Sequence, residues 1–503
     1  MADAARMPVI VGVGQLNDRP ADPRLGLDSV ELMQAALRAA DEDAGGGWLS
    51  RIDSLGVVAQ LSFPALGDVS PRLASAIGAR PRLCEQTGTP HGDSPIRLLN
   101  LAAQRIARGE IEVAAIAGGE ALRTAAGRHA ADPGRNAVRE AAAHAPPGHA
   151  ARYGLVAPVD IYPLYENAGR AAYRQTLAEG QRETAEIWSR FSAVAADNPG
   201  AWLRARVTAE EILRVSAENR PIAFPYTKLM VANISVNQGA GFIVTSLQRA
   251  VSRGIDEARL VYVGAGAAAA EPDDILARDS YARSASLEAS LRLALARNCL
   301  TADALDYAEL YSCFPCVPKM ARRALPWTLE REASVVGGLT FGGGPIGNYM
   351  SHAVVSMVHR LRHRGRHGLL FGNGGYATHN HSIVLSRVPP APEVPALDFD
   401  AQDEADRTRG VAPPIQPAYA GPATIETYTV FYGRDGAPRG GVVIARTPPG
   451  ARSLAHVLPE DTETIRTLTG GDVEPVGMDG VIAGTARGQV WRMDHRARLH
   501  AKM

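Results

Sequence analysis

The apolar positions of this chain gather into short unbroken runs separated by longer amphipathic stretches. Val9-Ile10-Val11-Gly12-Val13-Gly14 is one such run, and a near copy stands at Leu260-Val261-Tyr262-Val263-Gly264-Ala265-Gly266. Runs of this length, bounded by glycine, read as buried strands. Each is followed by a loop and a helical pattern, Val30 to Ala40 in the first case and Leu287 to Ala296 in the second. Further on, Val113-Ala114-Ala115-Ile116-Ala117-Gly118-Gly119 is echoed by Leu369-Leu370-Phe371-Gly372-Asn373-Gly374-Gly375. Both follow helical patterns that end in Arg-Gly, at Arg108-Gly109 and Arg364-Gly365. Glycine just past a helix supplies the left-handed cap. Two matched pairs in one order predict an internally duplicated α/β unit with helices on both sheet faces. The period is far too long for a stacked repeat array.

Between the copies lies an insertion, about Arg123 to Tyr226, with helical stretches at Tyr162 to Leu177 and Thr184 to Ala195. Insertions of this kind often lie over an active site. Residues Pro389 to Pro422 are rich in proline and carry an acidic patch, Asp398 to Asp406, the composition of a linker. Beyond it the pattern turns to strands: Thr424 to Tyr432, Gly441 to Arg446, Asp479 to Ala483 and Gln489 to Met493, with a short helix at Glu460 to Leu468. A small barrel of the oligonucleotide/oligosaccharide-binding (OB) type fits this tail, and a β-hairpin domain fits it too. The chain therefore divides into 1–258, holding the insertion at about 123–226, then 259–390, a linker at 391–420 and a β domain at 421–503.

Composition narrows the function classes. The 503 residues leave room for about two to four domains. Lys plus Arg total 53 and Asp plus Glu total 53, so no basic excess points to nucleic acid. Four cysteines make no disulfide framework, and a reducing cytoplasm is expected. No apolar run has the length of a membrane span, and the N-terminus passes straight into a strand pattern without the features of a signal peptide.

Three stretches carry the chemistry: Glu309-Leu310-Tyr311-Ser312-Cys313-Phe314, Gly337 to Gly347, and Phe371-Gly372-Asn373-Gly374-Gly375. With the duplication, their order and spacing resemble a thiolase of the sterol-carrier-protein type. The appended C-terminal domain narrows the resemblance to the type 1 thiolase-like proteins. It covers residues 1 to about 390 as a thiolase-fold subunit and implies an acetyl-CoA acetyltransferase-like protein acting on acyl-CoA in lipid or steroid metabolism.

The same resemblance shows what is missing. Thiolases carry a nucleophilic cysteine at the start of a buried helix, where helix amides and dipole stabilise the thiolate. Here that helix opens at Asp93-Ser94-Pro95, with Asp or Ser as cap and Pro in the first turn. Gly92 stands at the cysteine's position. Cys84, upstream in the preceding strand, reads as a small buried thiol. The second landmark, normally His-Asp-Cys-Phe, is Tyr311-Ser312-Cys313-Phe314, which keeps the cysteine and offers a phenol for the imidazole. The third, normally Gly-His-Pro, is Gly343-Gly344-Pro345, so the activating imidazole is gone and Gly344 leaves space and a backbone N–H. Tyr349 and His352 follow, and Tyr349 is a candidate for the vacated space.

By the resemblance, His91, Asp93, Gly343, Gly344, Gly372 and Asn373 line the ligand site. Asn237-Gln238-Gly239-Ala240-Gly241 matches a thiolase segment used for close packing. His379 and His381 share a strand face, but with no further ligand nearby no metal site is expected, and no cofactor beyond CoA or acyl-CoA as substrate or ligand.

Three functions are therefore weighed. One is an acyl-CoA-binding protein without ordinary thiolase chemistry. Another is a retro-aldol carbon–carbon lyase on a hydroxyacyl-CoA, using Tyr311 and Cys313. The last is a non-catalytic acyl-CoA scaffold. The aromatics Tyr428, Phe431, Tyr432 and Trp491 are expected in the tail's core, so no nucleic-acid partner is expected. A homodimer through the thiolase core is expected, or a monomer if the added domain covers that surface.

Overall fold

The structure is a computed structural model that describes residues 3–131, 148–390 and 398–493. Residues 132–147 of the insertion, 391–397 of the proposed linker, and the two termini lie outside the described residues. The first half contributes β1 (Pro8–Asn17), β2 (Ser54–Val57), β3 (Leu83–Gln86) and β4 (Val113–Ala121). The insertion adds the short strands β5 (Pro221–Ala223) and β6 (Tyr226–Thr227), and β7 (Asn237–Ser246) closes the half. The second half holds β8 (Val261–Ala270), β9 (Tyr307–Leu310), β10 (His367–Gly374) and β11 (His379–Ser386).

Nine of these strands form one sheet in the order β3-β2-β4-β7-β1-β8-β11-β10-β9. In the first half β2 runs parallel to β4, while β4 and β1 flank β7 antiparallel. In the second half β9 runs parallel to β10, while β10 and β8 flank β11 antiparallel. The halves meet where Val9 pairs with Tyr262 and Ile10 with Val261. These are the two runs whose likeness suggested duplication, now related about the seam.

Both faces of the sheet are covered, which explains the unbroken apolar run Val9 to Val13 in β1. Val9 and Val11 pack in one core with Val30, Met33 and Leu37, while Ile10 and Val13 point into the other with Ile96 and Leu99. Successive side chains of a strand face opposite ways, so a run covered on both faces reads as continuously apolar. The helix Ser29–Asp43 covers the outer face, opened by a capping box in which Asp28 accepts from Val30 N and Glu31 N while Glu31 accepts from Asp28 N. The helices Ser94–Arg108 and Tyr349–His363 pack together inside. Ile96, Leu99, Ala103 and Ile106 of the first are almost wholly buried. Burying each such Ile or Leu is worth about 1.5–3 kcal/mol. Gly109 ends that helix in the left-handed region at φ 71°.

The tail is a closed barrel of five strands. These are β12 (Gly421–Tyr432), β13 (Pro438–Arg446), β14 (Arg452–Val457), β15 (Asp479–Thr485) and β16 (Gly488–Met493), with the helix Thr462–Thr469 between β14 and β15. The order is β13-β14-β16-β15-β12, and β12 returns to pair β13. The strand pattern of the sequence missed β14, because Arg452 and Ser453 break its apolar run. Tyr428 and Trp491 lie in the barrel core with Tyr432 packed against it, as the alternation predicted, whereas Phe431 packs against the thiolase core instead.

One reading of this region needs correction, that of the linker. The barrel is docked on the thiolase part. Val442, Ile444 and Leu454 pack into the large core, Thr427 Oγ1 donates to Leu164 O at 2.6 Å, and Asn167 Nδ2 to Tyr428 O at 2.9 Å. The stretch read as linker is also built in where it is described. Asp400 bridges to Ala268, and the helix Gln402–Thr408 buries Ala405. Two of its acidic residues have arginine partners, Arg292 for Glu404 and Arg409 for Asp406, and Arg409 also holds Glu271. Linker composition was misleading because acidic residues that find fixed cations order a segment instead of solvating it.

The deepest clamp is Arg452, which is fully buried. Its guanidinium holds Glu426 at 2.6 Å and Arg278 O at 2.8 Å, and lies 4.7 Å from the Tyr281 ring centre. Glu426 also pairs with Arg446 at 2.9 Å, so losing Arg452 does not strand that carboxylate; it removes the donor that ties the barrel to the Leu276 and Arg278 carbonyls. Arg452→Ala is therefore expected to cost about 1–3 kcal/mol in urea unfolding, for buried acceptors left unmet; a loss below about 0.5 kcal/mol would show that the barrel's docking does not depend on these contacts.

Candidate functional site

The N-terminus of the Ser94–Arg108 helix, the end of β9 and the end of β10 converge beneath the insertion. A cavity of about 410 Å³ opens there. Pro90, His91 and Gly92 form one wall, and Tyr311, Cys313 and Phe314 another. Gly344 and Ile346 come from the third landmark, and Asn373, Gly374 and Gly375 from the fourth. The insertion supplies Pro158, Val159 and Tyr162, and the segment before β7 supplies Val231, Ala232 and Ile234. All the landmark stretches singled out in the sequence thus meet at one place.

Gly92 is crowded. A β-carbon added there would lie 2.2 Å from the Asn373 carbonyl oxygen and 2.3 Å from the Tyr311 hydroxyl. The nucleophile's place is not vacant; the Tyr311 phenol fills it. The two departures from the thiolase pattern are therefore one change, because a longer side chain at 311 requires the smallest residue at 92. Tyr311 is turned by its T-shaped contact with Tyr349 at 5.8 Å, and its N–H is tied to Phe371 O at 3.1 Å. Burial, with Cys313 and Asp93 nearby, raises its pKa well above the usual phenol range. Burial likewise pushes the Cys313 thiol up to about 12. Both groups are protonated donors at neutral pH.

Asn373 faces the cavity with its backbone. Its side chain is occupied, accepting from Tyr162 Oη at 3.0 Å and donating to Asn380 Oδ1 at 2.8 Å. The single Tyr162 hydroxyl proton is shared between Asn373 Oδ1 and Gly375 O, the latter at 3.1 Å, its oxygen accepts from Ala377 N at 3.0 Å, and its ring stacks on Phe314 at 4.5 Å. One insertion tyrosine thus fixes two landmark segments. It belongs to no motif, and only its place in a helical insertion hinted at a role.

The remaining candidates spread out. Gly343 lies against the Gln238 amide and Gly372 against the Asp93 backbone, and neither lines the cavity. Asp93 begins the helix without a side-chain cap bond, contrary to expectation, and faces a neighbouring polar cleft with His91, Arg97 and His379. His91 borders both spaces; its ring lies 4.4 Å from that of His379, and burial followed by His379 lowers its pKa, so it is neutral at neutral pH. The Gly344 N–H expected to be free donates to Asn233 O at 2.8 Å. Cys84 does lie in β3, but exposed rather than buried, because β3 is the sheet edge. His381 turns from His379 to the Asn100 amide at 2.6 Å. No cluster of three metal-ligating side chains occurs among the described residues.

Neither Tyr349 nor His352 reaches the cavity. His352 bonds Gln15 Oε1 at 2.9 Å, and burial lowers its pKa to about 3. Tyr349 donates to Glu309 Oε1 at 2.7 Å. Glu309 Oε2 accepts from Ser334 Oγ at 2.8 Å, Val335 N at 2.8 Å and Val336 N at 3.0 Å, which positions the third landmark against β9.

A duplicated α/β frame whose four landmark loops enclose one cavity defines a protein of the thiolase fold. Human mitochondrial 3-ketoacyl-CoA thiolase shares that fold, with a TM-score of 0.59 and 14% identity over 76% of this chain and 100% of that one. So does the Ltp2-ChsH2(DUF35) aldolase, with a TM-score of 0.58 and 17% identity over 76% and 98%. The family model for the additional C-terminal domain of type 1 thiolase-like proteins matches residues 402–486. A monomeric SCP2-thiolase-like protein type 1 from Mycobacterium smegmatis matches with a TM-score of 0.82 and 30% identity, over 97% of this chain and 100% of that one. The chain belongs to the SCP2-thiolase-like protein type 1 family. No curated protein matches its sequence significantly.

Two outcomes follow from the site's packing and charge. Gly92→Cys is expected to destabilise the protein by about 1–3 kcal/mol through overpacking and to yield no acyl adduct by intact mass after exposure to acetyl-CoA; an adduct at residue 92 would show that Tyr311 gives way. Burial raises the Glu309 carboxyl from 4.5 to about 7, and it does the same to Glu120. An acid with a raised folded-state pKa binds more protons folded than unfolded between the two values, so stability falls as pH rises through that window and levels off above it. Glu309→Gln is expected to flatten the fall between about pH 4.5 and 7; a slope equal to wild type would assign it to other groups.

Proposed function

We propose that the protein binds an acyl-CoA thioester in this cavity and handles it without an acyl-enzyme intermediate. The observation that supports this reading is the phenol in the nucleophile's place. A protonated Tyr311 hydroxyl is a poor nucleophile and a good hydrogen-bond donor to a thioester carbonyl. No hydrogen bond from this hydroxyl to another protein group is found among the described residues, and it borders the cavity, so its proton is available to a ligand. Val159, Val231, Ile234, Leu339 and Ile346 give the cavity an apolar lining suited to an acyl or steroid chain. The thiolase fold is also known with CoA bound, in the human mitochondrial enzyme. Ligand-binding roles fall to His91, Gly344 and Asn373. The protein acts as a monomer, the state of the M. smegmatis relative.

A second reading, retro-aldol cleavage of a hydroxyacyl-CoA, is favoured by the same unpartnered hydroxyl. A base takes the β-hydroxyl proton, the Cα–Cβ bond breaks as the new carbonyl forms, and the electron pair passes to the thioester as an enolate. Tyr311 and Cys313, both protonated, serve here as donors to that enolate, and neutral His91 is the lining group able to accept the proton. A scaffold that binds acyl-CoA without turnover is the remaining alternative.

Calorimetric titration with CoA, acetyl-CoA and decanoyl-CoA separates these. Saturable binding is expected, tightest for the long chain, and weaker by about 2–10-fold in Tyr311→Phe for loss of one hydrogen bond. Failure of all three ligands to bind would overturn the acyl-CoA reading. Turnover of a hydroxyacyl-CoA that vanishes in Tyr311→Phe would establish the lyase.

A further inference from the structure

Among the described residues, a group of arginines near the cavity carries no ion-pair partner. Asn237, at the start of β7, draws two of them together. Its carbonyl accepts from Asp18 N at 3.0 Å, and its Oδ1 accepts from Thr124 N at 3.0 Å. The neighbours of those two residues, Arg19 and Arg123, therefore leave the backbone near one another, close enough for their charges to interact. Arg19 reaches on to the segment after the long insertion helix: its Nη2 donates to Ala201 O at 3.1 Å and to Trp202 O, and its guanidinium lies 4.4 Å from the Trp202 ring centre. Arg204, two residues along, is exposed and bonds only the Ala196 carbonyl, at 3.2 and 3.3 Å.

No salt bridge involves Arg19, Arg123 or Arg204 among the described residues, whereas nearby Arg206 is paired with Asp197 and Arg24 with Asp22. The adjacent carboxylate, Asp18, is turned away to Leu27 N at 2.8 Å and to the Asn237 amide at 3.4 Å. The Arg19 pKa is lowered by burial and then by Arg123 and Arg204, in keeping with three like charges held close. Holding like charges together without a counter-charge costs free energy that a bound anion offsets.

This group and the cavity share a strip of chain. Arg123 N donates to Val236 O at 3.3 Å, and Ile234, two residues before Val236, lines the cavity and is half exposed. Among the described residues the lining contains no Lys or Arg. An apolar cavity beside a cationic group suits a ligand with an apolar arm and a phosphorylated end.

We propose that Arg19, Arg123 and Arg204 bind the phosphate groups of a CoA thioester whose acyl arm lies in the cavity; this rests on the acyl-CoA reading above. Guanidinium groups donate in a planar fork that matches phosphate oxygens, and the Trp202 face keeps the Arg19 fork fixed.

The test compares decanoyl-CoA, decanoyl-pantetheine and adenosine bisphosphate by calorimetry, on wild type, the double variant Arg123→Ala/Arg204→Ala, and the control Arg206→Ala. The expected result is that decanoyl-CoA binds at least about tenfold more tightly than decanoyl-pantetheine. That advantage should disappear in the double variant, persist in the control and shrink at high salt, with pantetheine-thioester affinity unchanged throughout. If the advantage survives in the double variant, or is absent in wild type while both thioesters bind, the arginine site is overturned and the acyl-CoA reading stands. If neither thioester binds, that reading fails and this proposal with it. Binding of adenosine bisphosphate alone, lost in the double variant, would then reassign the group to a free nucleotide and overturn the link to the cavity.

Discussion

The site depends on the close approach of Tyr311 and Asn373 to the backbone of Gly92. That approach occurs where a helix packed inside the molecule begins, between the ends of β9 and β10. Because Ile96, Leu99, Ala103 and Ile106 are buried on successive turns, the Ser94–Arg108 helix cannot slide to make room. The space at its N-terminus is therefore shared among few atoms. A thiolase would place sulfur there; this chain places a phenol. Loss of the nucleophile and gain of the tyrosine are two sides of one packing solution, and that solution leaves a donor facing an apolar cavity.

The insertion and the barrel hold that arrangement in place. Tyr162 bonds Asn373, Gly375 and Ala377, and its helix is gripped from behind by the barrel, through Thr427 on Leu164 and Asn167 on Tyr428. Arg452 fastens the barrel to the segment before the Ala285–Arg297 helix. None of the described residues of the added domain lines the cavity; the domain acts on the site by fixing the helix that does. Glu309 plays a matching part from below, joining β9, the third landmark and Tyr349 through one buried carboxyl.

The reach of sequence reasoning followed the range of the interactions involved. The duplication was legible because strand alternation and helix caps are local: β1 and β8, and β4 and β10, fall where their apolar runs stand. Boundaries moved by a few residues, and β14 was lost where Arg452 interrupts its run. The segment Asp398 to Asp406 was misread because charge composition says nothing about whether a charge will meet Arg292 or Arg409. Cys84 was misjudged because a strand at a sheet edge has the same sequence as one a strand further in.

By itself the sequence determined the fold, the places of the four landmarks and the absence of a cysteine and an imidazole from them, since each depends on residue identity and local spacing. Only the tertiary structure decided what fills those places. That Tyr311 occupies the space beside Gly92, that Tyr349 serves Glu309, that the Gly344 N–H is taken by Asn233, and that Arg19 and Arg123 emerge together through Asn237 are meetings between residues distant in the chain. Close packing and hydrogen-bond pairing fix such meetings, and both depend on where the folded chain brings each atom.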